Sequence, residues 1–292
     1  MLVPLLVPLL VTGIVVGLFA VPACRPVTRD DVDEFARLSG IDTTDASERF
    51  VGYYLQTGRR LRTVLVVAAF FLPTLIGEAL GITESEDGGA LPSSWQAVLA
   101  ACLIGTIWAE LALARPAGTV RVASLRPRRT SSYLGRPLRL SPAVVGAVGA
   151  AVWAGVARLP DEGEAGGTDR AGTTQIVVGV VFGLALPVLV ALTQRWIVSR
   201  PQPFVLPALV AADDAVRASS VRFVAAVGTS MALINLAGGA LQHTYPANGA
   251  VDVVSGATAF LSVVGAWFYW NARKPGRLMP SRTPLRPSPQ VA

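Results

Sequence analysis

The chain has 292 residues, 52% of them hydrophobic and 15% charged, with a net charge of +6 and a mean hydropathy of +0.52. A soluble domain carries roughly 25% charged residues and does not repeat apolar stretches of about 20 residues, so an ordinary soluble globular domain is excluded in favour of the polytopic membrane class. The positive excess sits in short connecting segments and the tail, where membrane orientation accounts for it without nucleic acid.

The first apolar run covers about residues 3–22. No basic residue precedes it, and the first arginine is Arg25. A cleaved signal has the opposite polarity. The expectation is a retained first span with its N-terminus outside, its first turns disturbed by Pro4 and Pro8. An amphipathic cytoplasmic segment follows at 28–62, read as two helices. Asp30 is the expected cap of the first, with Val32, Phe35 and Leu38 on its apolar face. Ser47 is the expected cap of the second, with Phe50, Val51, Tyr54 and Leu55 on one side. That helix is expected to run through Arg59–Arg62 into a second span at about 63–82. The acidic cluster Asp30, Asp31, Asp33 and Glu34 lacks the spacing and glycine of a calcium loop and reads as helix-start charge.

Five more runs of span length follow, at about 95–114, 141–159, 175–196, 222–241 and 253–271. In lipid such runs must be helices, because their backbone has no other hydrogen-bond partner. The connecting segments alternate in charge. Segment 23–62 holds Arg25, Arg29, Arg37, Arg49, Arg59, Arg60 and Arg62, whereas 83–94 has no Arg or Lys. Segment 115–140 is again Arg-rich, 160–174 holds only Arg170, 195–222 holds Arg195, Arg200, Arg217 and Arg222, and 242–252 has none. Asp213 and Arg217, in the third cytoplasmic segment, form an i,i+4 pair on an expected short helix. This alternation implies an all-α, polytopic transmembrane helical bundle of about seven spans, N-terminus out and C-terminus in. Residues 1–276 are expected to form one transmembrane domain, and 277–292 a basic, disordered cytoplasmic tail. Trp95, Trp196, Trp267 and Trp270 fall near the expected interfaces. A basic residue followed by Pro ends each inward span, at Arg25, Arg115, Arg200 and Lys274, as an inner-face anchor and a helix stop.

Few residues are candidates for chemistry. Glu110 lies in the third span about one turn from its inner end, where an ion pair with a basic group outweighs a proton or transport role. Glu78 marks the outer end of the second span. Asn235 lies mid-span in the sixth, suited to bonding a neighbouring helix or, alternatively, to lining a path. Pro73 and Pro187 are candidate kinks. Gly179 and Gly183 form GxxxG, and Gly146 and Ala150 form a small-residue ridge, both favouring close packing inside one bundle. The lone His243 has no partner for a metal site. Ser219–Ser220 has no base for nucleophilic catalysis. Cys24 and Cys102 do not suggest a disulfide. No Walker motif, cofactor signature or enzyme signature is present.

The strings RFVGYYLQTGRRLR before the second span and RPRRTSSYLGRPLRL before the fourth, with 24 Arg against one Lys (of 25 basic residues), are similar to those of uncharacterised multipass membrane proteins of actinobacterial type. That resemblance implies a plasma-membrane protein, with some members viewed as membrane partners of soluble ABC-type ATPases. It carries over no active residue. The functional expectation is therefore a permease-like or transport-associated component whose partners are the lipid bilayer and a soluble ATPase or another membrane subunit. The alternative is a structural or regulatory membrane protein that transports nothing. An intramembrane enzyme comes third, since Glu78 and Glu110 are expected at opposite faces.

Overall fold

A computed structural model of the chain describes residues 26–42, 44–79, 104–111, 129–158, 173–200 and 207–243. Among these the regular structure is entirely helical: α1 (Arg29–Ser39), α2 (Asp45–Ala79), a 3-10 turn at Thr130–Ser132, α3 (Arg136–Val156), α4 (Thr173–Ser199) and α5 (Pro207–His243), with a further helical segment at 104–111. Three helices, Arg136–Val156, Thr173–Ser199 and Pro207–Ala240, are long and apolar enough to cross a membrane. They coincide with the expected fourth, fifth and sixth spans. The first and seventh lie outside the described residues, as does most of the third.

Both caps near the N-terminus differ from expectation. Thr28, not Asp30, caps α1: its hydroxyl accepts from the Asp31 backbone N–H, and the Asp31 carboxylate accepts from the Thr28 backbone N–H at 3.1 Å. This reciprocal capping box satisfies two backbone donors, and its N-cap lies two residues ahead of Asp30, where the acidic cluster begins. The backbone bond from Thr28 is the main reason the Asp31 carboxyl is held below its ordinary range, with Arg59 assisting against partial burial. The helix ends on Gly40 at φ 65°, the left-handed cap that glycine adopts without steric cost. Thr44, not Ser47, caps α2: its hydroxyl accepts from the Ser47 backbone N–H at 3.3 Å, and Ser47, the third helical residue, completes a second reciprocal pair by accepting from the Thr44 backbone N–H at 2.8 Å.

α2 runs without a break from Asp45 to Ala79. Its first half and α1 pack together, with Val32, Val51 and Ala212 forming a small core flanked by Phe35, Phe50 and Leu55. Tyr54 packs on Val216 beside it. Ala212 and Val216 belong to α5, so the amphipathic pair buries its apolar face on the first turns of that helix. Pro73 and Glu78 lie on the helical backbone of α2, and their side chains fall outside the described residues.

α5 is the central helix. Of its apolar window 67% is buried, against 33% for α3 and 22% for α4. Its start revises two expectations. Asp213 and Arg217 are not on a short loop helix, and Ser219–Ser220 are not in a loop; all belong to a helix of 37 residues. The stretch from Ala208 to Val227 holds no Gly or Pro and is rich in alanine, so nothing in it breaks the helix, and Asp213 and Arg217 within it are paired inside the fold. α4 continues to Ser199, leaving a short connection after Arg200. The outward faces of α3 and α4 carry Val144, Val148, Val181, Leu184, Val188 and Leu192 in the open, a surface apolar enough to face lipid.

α3 tolerates Pro137 in its first turn, where no N–H is needed, and Pro142 in its interior. Pro142 leaves the Leu138 carbonyl without its helical donor. The Ser141 hydroxyl lies 3.1 Å from that oxygen and 2.8 Å from the Thr229 hydroxyl of α5.

Candidate functional site

The most polar place in the described interior is a four-charge cluster where α4 ends and α5 begins. Glu110, Arg200, Asp213 and Arg217 are 0%, 6%, 0% and 0% exposed. The Arg200 guanidinium bridges two anions, donating from Nη1 to Glu110 Oε2 at 2.7 Å and from Nη2 to Asp213 Oδ1 at 2.6 Å. The other Asp213 oxygen accepts from Arg217 through Nε at 2.9 Å and Nη2 at 2.8 Å. Two cations and two anions leave the cluster formally neutral. Taking four charges out of water is costly unless they are mutually paired and hydrogen-bonded, and here nearly every donor is used. Among these side chains only Arg200 Nε lacks a partner.

Local sequence explains each position. Pro201 cannot continue α4, so Arg200 stands just past the helix end with its side chain free to turn inward. The last α4 carbonyls would otherwise be unpaired. Arg217 Nη1 donates to the carbonyls of Val198 at 3.1 Å and Arg200 at 2.6 Å, a cation at a helix C-terminus where the dipole favours it. Asp213, Arg217 and Ser220 follow one another at i, i+4 and i+7 and so form one polar stripe on α5. Ser220 donates to Glu110 Oε1. Its oxygen is then left to accept from Tyr54 Oη, at 2.9 Å. The chain Tyr54–Ser220–Glu110 thus ties α2, α5 and the 104–111 helix together. Tyr133, next to the 3-10 turn, donates to Asp214 at 3.1 Å.

A second polar contact lies farther along α5. Asn235, 4% exposed, donates from Nδ2 to the Gly179 carbonyl of α4 at 3.0 Å. The Asn235 backbone carbonyl accepts from the Trp153 indole N–H of α3 at 2.8 Å. Three helices meet there because glycine clears the space. A Cβ on Gly179 would stand 2.4 Å from the Trp153 ring. One turn on, a Cβ on Gly146 would stand 2.5 Å from the Gly183 carbonyl oxygen and 2.8 Å from the Pro187 ring. Pro187 has no N–H to offer Gly183, so that carbonyl faces the bare Gly146 backbone. Ala150 is equally close, 3.0 Å from the position of a Cβ on Gly183.

No protein-family model, curated protein or solved structure matches this chain.

Glu110 is placed against Arg200, 90 residues away in sequence. Asn235 and the Gly146, Ala150, Gly179 and Gly183 set converge on one seam. The Glu78 side chain lies outside the described residues. Arg200, Ser220 and Tyr54 were not singled out by sequence as a group. The signal that would have found part of it is the 213–217–220 polar stripe, legible once α5 is taken as continuous. No group of three potential metal ligands occurs among the described residues.

Proposed function

We propose that the chain is a multi-pass plasma-membrane protein of structural or regulatory kind: a helical scaffold that holds the α1–α2 pair on the inner face. The observation that carries this reading is the closed, neutral Glu110–Arg200–Asp213–Arg217 cluster. Its charges satisfy one another, and a residue reserved for a moving ion or substrate would keep a free position. The mid-span amide of Asn235 is likewise spent on Gly179, which supports a scaffold over a permease-like component. A transport-associated role with a soluble ATPase remains the competing reading, and the α1–α2 pair is the surface it would use.

A cysteine at position 235, in a background with Cys24 and Cys102 replaced by serine, separates the two. In a scaffold, N235C stays unmodified by a charged, water-borne thiol reagent while the protein is folded, whereas a control cysteine at exposed position 37 reacts. Rapid modification at 235 would mean a water-filled path, and the scaffold reading would fall.

A further inference from the structure

Between α3, α4 and the 3-10 turn lies a cleft of about 790 Å³. Its polar part carries Arg129, Arg139 and Arg195, no Asp or Glu lines it, and none of the three arginines is in an ion pair among the described residues. Every other feature of the nearby charged cluster is neutralised; this one is not. Gln194 lines the same cleft, is 3% exposed, and its Nε2 donor has no partner. Buried donors are almost always paired, so a free amide beside three unpaired guanidiniums marks the place of an acceptor-rich anion.

We propose that this cleft binds the phosphate headgroup of an anionic membrane lipid. Free phosphate shares the headgroup chemistry, and the rest of the cleft decides between them. Pro142, Pro187 and Val190 make its wall apolar, and α4 exposes Val188, Leu189 and Leu192 along the neighbouring surface. An acyl chain fits beside those side chains, whereas a free phosphate gains nothing from them. The three arginines stand beside the start of α3 and the last turns of α4, at the end of these helices away from the Gly146–Gly183 approach. By the distribution of basic segments that end is the inner leaflet, where basic pockets between transmembrane helices meet anionic headgroups.

The test uses the full chain in nanodiscs of phosphatidylcholine with and without phosphatidylglycerol, reading bound lipid by native mass spectrometry after release into detergent. The expected result is one retained phosphatidylglycerol per chain and a thermal midpoint raised by several degrees. Each guanidinium near an anionic group is worth roughly fivefold in affinity, so R139E/R195E should lower retention by at least about 25-fold. Both positions are exposed, so the variant keeps its fold, and R37E/R49E, at two exposed positions outside the cleft, serves as a charge-matched control with retention unchanged. Equal retention of phosphatidylcholine, or retention in R139E/R195E equal to that of R37E/R49E, would overturn the proposal. An equal thermal shift from inorganic phosphate alone would overturn the lipid assignment and give the cleft to a soluble anion.

Discussion

Asp213, Arg217 and Ser220 gather four parts of the chain by charge near the start of α5, while about 27 Å farther along the same helix Asn235 meets α3 and α4 where glycines strip the surface to backbone. The first seam works at a distance: long side chains reach across from Arg200 and Glu110, and each depends on the others for its counter-charge. The second works by contact, through the bare backbone at Gly146 and Gly183 and the Trp153 ring over Gly179. One seam is therefore sensitive to the sign and completeness of its charges, and the other to added volume. Electrostatics inside a low-dielectric bundle is cooperative among its members, whereas packing is strictly local.

The sharpest way to break the comparison is at Asp213. D213A leaves Arg200 and Arg217 buried with one anion between them, and removing one partner of a buried pair costs about 3–5 kcal/mol. Thermal unfolding in detergent should show the largest loss of any single substitution considered. The quadruple change E110L/R200M/D213L/R217M removes charge altogether and should recover most of that loss, since uncharged replacements of buried ion networks are often neutral. Failure of the recovery would mean that the cluster does more than balance itself.

At the other seam G146A should cost about 1–3 kcal/mol, because the Gly183 carbonyl and the Pro187 ring cannot yield and the helices must separate. N235L should cost less, about 0.6–2 kcal/mol, in line with interhelical hydrogen bonds in bilayers. If N235L proves costlier than G146A, the second seam is held by polarity and the contrast drawn above is wrong.

The smallest effect is expected at the α1 cap. T28A should cost about 1 kcal/mol of helix stability, read as faster hydrogen exchange of the α1 amides rather than a lower global midpoint. The same exchange should respond to acid. Because the folded Asp31 carboxyl is held below its ordinary value, its contribution is present above the ordinary carboxylate range. It is lost as pH falls through the lowered folded value. Protection of α1 should therefore drop between mildly acidic and strongly acidic pH, and D31N should remove that dependence.

Much of the fold is legible locally. The apolar runs at 141–159, 175–196 and 222–241 mark α3, α4 and the body of α5, and Phe50, Val51, Tyr54 and Leu55 do share the face that α2 buries. The caps were displaced from Asp30 to Thr28 and from Ser47 to Thr44, since Asp, Ser and Thr are near-equal caps and only the observed backbone bonds decide among them. The larger difference is α5. Charged residues in 207–222 read as a loop boundary, because polarity along the chain says nothing about whether a charge meets solvent or a counter-ion.

What the amino-acid sequence determined by itself is a helical chain with spans of membrane length and amphipathic faces, because apolar length and the 3.6-residue period are properties of adjacent residues. Only the tertiary structure decided that Glu110 pairs with Arg200, that Arg217 closes the end of α4, and that Arg129, Arg139 and Arg195 share a cleft with the free amide of Gln194. Those pairings join residues as many as 90 positions apart, and no local pattern encodes a partner that distant: the choice is made when helices pack and each buried charge must find its opposite.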